Sequence, residues 1–201
     1  MTRMSVVGVV LAAGGGSRMG MPKAILEFRG QPLITRTVRT AFAGGCDTVC
    51  AVVGADVRRA ASYAEAAGAF VAVNEAWAAG MGGSLRAGLD SVEHTAPDAS
   101  AALILLVDQP DITANAIAAV LSAQRGPDDD KVLAAAIYEG RRGHPVLIGR
   151  AHWDALRPTL VGDVGARTYL RAHLDELILV PCDAIADPRD LDRPEDLDTL
   201  G

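Results

Sequence analysis

Apolar and polar positions along this chain alternate between two periods. Residues 5–13, rich in valine, form a nearly unbroken apolar run, the pattern of a strand buried on both faces in a parallel sheet. Residues 31–44 instead carry Leu33, Ile34, Thr37, Val38, Ala41 and Phe42 at helical spacing and stop at Gly44-Gly45. A strand over 48–53 ends at Gly54, a helix over 57–67 closes at Gly68, and 70–73 makes a third strand. Strand-helix alternation of this kind predicts a single α/β domain over residues 1–201. Its architecture is a doubly wound, mostly parallel, Rossmann-like sheet with helices on both faces.

The second half continues the rhythm with more interruptions. Ser84 is placed to cap a helix running to about Ser91, and 101–107 is an aliphatic strand. A helix lies within 111–123, beginning near a Thr113 cap, and the polar break at 125–130 reads as a solvated loop. A strand over 131–137, a turn over 138–143 and a short partner strand over 145–148 follow. Residues 151–156 form a short helix whose Trp153 is core or pocket wall, residues 162–167 open a helix to about His173, and 177–180 is a last strand. In the tail, Pro194 suits the first turn of a helix and Asp192 suits its cap.

Composition narrows the function classes. Apolar residues make up 50% and aromatics only 4%, which points to an Ala/Val/Leu interior rather than an aromatic binding surface. A net charge of −6 without a basic run argues against nucleic acid as a partner. The longest apolar runs fall far short of the ~20 residues that cross a bilayer, so no membrane partner is expected. Arg3 followed by apolar residues to Ala13 has the outline of a secretory signal, but a basic loop follows at once with no small-residue cleavage site. Cys46, Cys50 and Cys182 are odd in number and match no common zinc spacing, as reduced, partly buried thiols of a cytoplasmic protein would be.

The chemistry gathers where the first strand ends. In residues 6–26, VVGVVLAAGGGSRMGMPKAIL, Gly14, Gly15 and Gly16 let backbone amides approach a triphosphate, while Arg18 and Lys23 supply positive charge. Neither the Walker A spacing nor G-x-G-x-x-G fits, since Lys23 stands three residues after Gly20 with Ala24 behind it. Residues 74–89, NEAWAAGMGGSLRAGL, supply a second glycine loop with Ser84 after the third strand, where open α/β sheets gather ligands. The strand over 101–107 ends in Asp108-Gln109-Pro110, and a carboxylate there suits magnesium better than packing. Each feature also has a plainer reading. The loops are then glycine turns, Asp108 caps the next helix, His144 beside Pro145 is a turn residue, and Asp163 is an N-cap.

The stretch LAAGGGSRMGMPKAIL resembles the opening signature of the MobA-like nucleotidyltransferases, L-A-[AG]-G-x-S-x-R-M-G-x-x-K. Ala13 gives the L-A-A-G form of the molybdenum cofactor cytidylyltransferase branch. D-Q-P at 108–110, R-G-H-P at 142–145, G-D-x-G-A-R at 162–167 and the tail DLDRPEDL, with Arg193 in place of the usual Thr, are similar to the same branch, in the same order. The resemblance implies a fold of the nucleotide-diphospho-sugar transferase type and transfer of CMP from CTP to a phosphorylated acceptor such as molybdopterin, with release of pyrophosphate. A client molybdoenzyme is the implied further partner. It assigns nucleotide binding to Leu11, Ala12, Ala13, Gly14, Gly15, Ser17, Arg18, Lys23, Asn74, Ser84 and Asp108, and catalysis to Arg18, Lys23 and Asp108. Mg2+ falls to Asp108 and Asp190, and the acceptor to Gln109, His144 and Arg167. A phosphate nucleophile is already ionised near neutral pH, so catalysis would be positioning and electrostatics.

Two other readings stand beside it. One is an NAD(P)H-dependent oxidoreductase of the nicotine-blue reductase type, against which G-x-G-x-x-G is absent and Asp56 comes too late after the second strand to bind a ribose convincingly. The other is a non-catalytic nucleotide sensor or molybdoenzyme chaperone, which would keep the glycine loop without needing both aspartates.

Overall fold

A computed structural model of the protein describes residues 5–124 and 130–199. Arg3 and most of the polar break at 125–130 lie outside the described residues. The chain runs β1 (Ser5–Ala12), a 3-10 turn (Lys23–Ile25), a small ribbon of β2 (Glu27–Phe28) and β3 (Gln31–Pro32), then α1 (Leu33–Ala43), β4 (Thr48–Val53), α2 (Val57–Ala66) and β5 (Phe70–Val73). After a 3-10 turn (Trp77–Ala79) come α3 (Met81–Thr95), β6 (Ala99–Leu106), α4 (Ala114–Leu121), β7 (Leu133–Tyr138) and β8 (Arg141–Gly149). Short helices α5 (Trp153–Leu156) and α6 (Arg167–Ala172) precede β9 (Ile178–Pro181) and α7 (Asp196–Thr199).

Seven strands make one sheet in the order β5-β4-β1-β6-β8-β7-β9. β1 lies parallel to β4 and β6, while β8 runs antiparallel to both its neighbours, β6 and β7. The valine run of β1 is buried on both faces. Val6 and Val10 pack with Val38, Ala60 and Ile117 on one side, and Val7 and Val9 with Leu85, Leu89 and Trp153 on the other. Helices therefore cover both faces, as the unbroken apolar pattern required. The three cysteines are buried and unpaired with one another. Among the described residues no helix is long and apolar enough to cross a membrane.

Three local expectations are corrected. α3 starts at Met81, three residues before Ser84, so Ser84 is an interior helix residue and Gly80 holds the cap position. Residues 141–149 form one nine-residue strand, so R-G-H-P is not part of a turn. The turn is only Glu139-Gly140, both with positive φ (48° and 76°), which suits a two-residue hairpin. Gly143, His144 and Pro145 sit at a register break of the β7–β8 pair, the position where a sheet tolerates proline. Finally, Asp192 does not cap α7. The Asp196 carboxylate accepts from the backbone N–H groups of Asp192 and Arg193, and the Asp192 side chain turns elsewhere.

From β1 the chain leads to β4 on one side, and β6 later returns to the other. This is a topological switch point, and the loops beyond the carboxyl ends of β1 and β6 diverge to leave a crevice.

Candidate nucleotide and metal site

The loop after β1 is shaped by its own backbone. The Gly16 carbonyl accepts from the N–H groups of Met19 and Gly20 at 3.0 and 2.9 Å. Gly16 has φ +61°, and a Cβ there would lie 2.0 Å from the Met21 carbonyl oxygen, so only glycine fits. The loop leads into a 3-10 turn whose Ala24 and Ile25 are buried, which roots Lys23 at the base of the crevice. Trp77 covers the loop from the other side, 2.7 Å from where a Gly15 Cβ would stand.

The second wall comes from β5 and α3. Asn74 Nδ2 donates to Ser84 Oγ at 3.0 Å, and Asn74 Oδ1 accepts from the Ala76 N–H at 3.1 Å. Asn74 thereby ties the strand end to the helix. At the cap of α3, Gly80 has φ +118°, and a Cβ would meet the Gly162 backbone at 2.4 Å. This close approach brings Asp163 to the rim of the cleft, rather than leaving it as a helix cap.

Between these walls lies a cleft of about 400 Å³, within the range of small-molecule sites. Leu11, Ala13 and Gly14 border it on one side and Ser84 on the other, and Arg18, Lys23 and Asp108 reach it with Ser17. Ala12, Gly15 and Asn74 are not among the residues that line it. Lys23 Nζ donates to Asp108 Oδ2 at 2.8 Å and also to Asp192 Oδ1, while Arg18 donates to Asp192 Oδ2 at 2.8 Å. The Leu191 N–H donates to the Asp108 carbonyl at 2.7 Å and its side chain is fully buried, so the tail is pinned beside β6.

Gln109 is buried, and its amide donates to Asp190 Oδ1 at 2.8 Å and to the Pro188 carbonyl at 3.0 Å. It orients Asp190 and leaves no amide N–H toward an acceptor. His144 is half-buried and lies within electrostatic reach of both Asp108 and Arg167. Arg167 itself is exposed at the start of α6. Thr113, not Asp108, caps α4, accepting from the Ala116 N–H at 3.2 Å.

The electrostatics follow from this crowding. Burial pulls the Lys23 ammonium down, but its bonds to Asp108 and Asp192 more than compensate and leave it above its ordinary value. The Lys23 bond holds Asp192 below the usual carboxylate range. Burial pushes Asp190 up, helped by the charges of Asp108 and Asp192 and opposed by its bond from Gln109. Burial lowers His144 to about 4, so its ring is neutral at pH 7.

These donors fit a divalent cation. The charge of Asp108 raises the cost of ionising Asp190, and the donor atoms of both are oxygens, the choice of Mg2+. No group of three or more metal-ligating side chains occurs among the described residues, so phosphate and water would complete the shell, as Mg2+ commonly permits.

Comparison with known proteins agrees with the fold. The sequence model of the MobA-like NTP transferase domain matches residues 8–186, and the chain belongs to that nucleotidyltransferase family. A curated relative, nicotine blue oxidoreductase of Paenarthrobacter nicotinovorans, is 34% identical over 96% of this chain and 94% of its own. The crystal structure of an rv0371c homologue from Mycobacterium sp. strain JC1 superposes with a TM-score of 0.82 at 28% identity, over 99% of this chain and 96% of that one. Rv0371C of Mycobacterium tuberculosis, solved in complex with manganese, gives a TM-score of 0.75 at 26% identity over 98% of each chain.

Among the cleft residues that sequence reasoning did not place there are Asp192, Asp163 and Trp77. Trp77 and Asp163 lie within stretches singled out for their glycines, whereas nothing local in the sequence pairs Asp192 with Lys23.

Proposed function

We propose that this protein transfers a CMP group from CTP to a phosphorylated acceptor, molybdopterin carrying molybdenum, with Mg2+. The observation that carries the reading is the placement of Lys23 against Asp108, with Asp190 alongside, beneath a glycine loop at the switch point of the sheet. Arg18 and Lys23 hold the triphosphate by charge, and the Leu11–Gly14 backbone and Ser84 flank the base. An acceptor phosphate oxygen bonds to the α-phosphorus as the bond to the β-phosphate oxygen breaks, and pyrophosphate leaves with that electron pair. Mg2+ on Asp108 and Asp190 would neutralise charge on the phosphates. His144, neutral at pH 7, and Arg167 flank the acceptor side, with Arg167 available to its phosphate. The manganese in the related mycobacterial protein supports the metal. The L-A-A-G form and the D-Q-P and R-G-H-P segments support cytidine and the molybdenum cofactor. Buried thiols support a cytoplasmic location, where the product passes to a client molybdoenzyme.

A second reading is favoured by the 34% relative, whose name is an oxidoreductase: an NAD(P)H-dependent oxidoreductase of the nicotine-blue reductase type. One assay separates the two. Pyrophosphate release is measured with Mg2+ and each of CTP, GTP, ATP and UTP, with and without molybdopterin acceptor, for wild type and Asp108→Ala. CTP- and acceptor-dependent release that disappears in Asp108→Ala is the expected result. Silence with every nucleotide, together with NAD(P)H oxidation on added dye, overturns the proposal in favour of the oxidoreductase.

A further inference from the structure

The chain carries a net charge of −6, yet one groove on its surface is positive. The groove holds about 460 Å³ and shares no lining residue with the nucleotide cleft. Of the charged side chains that line it, three are arginines, Arg29, Arg36 and Arg39, and one is Asp111. We propose that this groove docks a carboxylate-rich segment of a partner polypeptide. Such a surface serves either enzyme reading, because it lies outside the cleft.

The sequence builds the groove from three pieces. Arg36, Arg39, Thr40 and Ala43 stand at i, i+3, i+4 and i+7 of α1, one face of a helix whose Ile34, Val38 and Ala41 are buried. A second wall is the segment from Asp111 to Ala114, which opens α4 at its Thr113 cap, so the positive end of that helix adds to the arginines. Arg29 comes from the turn between β2 and β3, where Arg29 and Gly30 have φ 49° and 75°. Its guanidinium lies 4.7 Å from the centre of the buried Phe28 ring, and that of Arg36 lies 5.8 Å from it. One aromatic ring thus holds two of the charges in place.

Asp111 pairs with Arg29 at 2.9 Å and stands 3.9 Å from Arg36, whereas Arg39 donates to the neutral amide oxygen of Gln31 at 3.0 Å. Three cations against one anion leave positive charge for a ligand to meet. Exposure decides what kind of ligand. The Arg29 and Arg36 side chains are 44% and 32% exposed and Arg39 is exposed, so no guanidinium is desolvated enough to hold a single small anion tightly. Several carboxylates on one chain gather these weak contacts into one binding event. Ala43 and Ala114 line the same groove with side chains too small to keep a peptide backbone away. Arg36 Nε also donates to the Pro110 carbonyl at 2.9 Å, so a docked partner rests against the segment that carries Asp108 without entering the cleft.

Fluorescence anisotropy on the full chain measures binding of a labelled peptide of alternating glutamate and serine, and of its glutamine counterpart, at low and at physiological salt. Wild type binds the glutamate peptide, less tightly as salt rises, and does not bind the glutamine one. Arg39→Gln weakens binding about two- to fivefold, the scale of one exposed ion pair, and Arg39→Glu weakens it by roughly tenfold or more. Arg58→Glu, at an exposed position of α2 outside the groove lining, makes the same change in net charge and leaves binding unaltered. Thermal unfolding confirms that the variants fold, and Arg36 is left intact because its bond to Pro110 is structural. A glutamate peptide that wild type does not bind, or equal losses in Arg39→Glu and Arg58→Glu, overturns the proposal. Displacement of the peptide by inorganic phosphate at matched charge concentration makes the groove a small-anion site, and tighter Arg39-dependent binding of a single-stranded oligonucleotide makes it a nucleic-acid surface. Either result also overturns it.

Discussion

Lys23→Met tests the centre of the site most directly, because methionine keeps the apolar stem and removes only the ammonium. The Lys23 side chain is 15% exposed, and its partners Asp108 and Asp192 are 24% and 40% exposed. Removing one partner of a fully buried ion pair costs ~3–5 kcal/mol, whereas exposed pairs contribute ~0–1 kcal/mol. The intermediate exposure here puts the loss near 1–2 kcal/mol, a fall in Tm of about 2–8 °C for a chain of this size. The sign of the pH dependence follows from the shifts. Lys23 is raised, so its contribution is full below its ordinary value and fades as pH rises through the raised one. Asp192 is lowered, so its contribution is full above the ordinary aspartate value of about 4 and is lost as pH falls through the depressed one. The deficit of Lys23→Met is therefore largest between about pH 5 and 10 and shrinks on further acidification, when the stranded carboxylates protonate. Calorimetric melting across that range measures it. Nucleotide affinity in Mg2+ falls in parallel by roughly ten- to a hundredfold, the worth of one charge-assisted phosphate contact. A variant as stable as wild type at pH 7, or a deficit that persists unchanged in acid, refutes the reasoning.

Two further outcomes are expected. Gly16→Ala places a Cβ 2.0 Å from the Met21 carbonyl at positive φ, whereas Gly14→Ala meets nothing within 4 Å. The first lowers Tm and nucleotide affinity and the second leaves Tm unchanged, as melting curves and titration will register. His144, lowered by burial to about 4, withholds a proton that the unfolded chain accepts from about pH 6.5 downward, so stability falls as pH drops through that interval. His144→Gln flattens this limb in Tm measured from pH 7 to 4.5, and an unchanged slope contradicts the burial argument.

How far the sequence revealed this site depended on the range of each interaction. The valine run of β1 and the glycines behind it are local signals, and the structure places them where their period and chirality require. Asp108 was visible because a carboxylate ending an aliphatic strand is out of place in a core. Asp192 was not, because Asp-Arg-Pro at a helix start fits a local cap equally well. Lys23 stands 169 positions away and wins the side chain only once the tail has docked on β6. Ser84 fails in the same sense: it has the residue type of a cap, but Asn74 claims its hydroxyl ten positions earlier. At β8, Gly143 and Pro145 are turn residues by type, yet pairing with β7 at Arg141 and Arg142 before them and at Val146 to Ile148 after them carries the strand through. In each case tertiary contact overrode a correct statement about local preference.

The same geometry bears on the two enzyme readings. A dinucleotide fold holds its pyrophosphate on the N-terminus of the helix that follows the glycine loop, with largely uncharged glycines around it. Here the loop after β1 leads to a three-residue 3-10 turn, and α1 begins only at Leu33, behind the β2–β3 ribbon. α3 does open onto the cleft, but Asp163 stands at its Gly80 cap, 2.8 Å from a Cβ placed there. Asp56, three residues beyond the end of β4 and so past where a ribose-binding acid belongs, is exposed, lies in the left-handed region at φ +47° and pairs with Arg59 at 3.5 Å. Under the proposed function phosphate binding would fall to side-chain cations rather than to a helix dipole, and those cations stand next to carboxylates. A hydride donor gains nothing from that arrangement, because its pyrophosphate is not the reacting group. A nucleotidyl transfer gains from every part of it, since charge on the phosphates is what changes as the bond to pyrophosphate breaks.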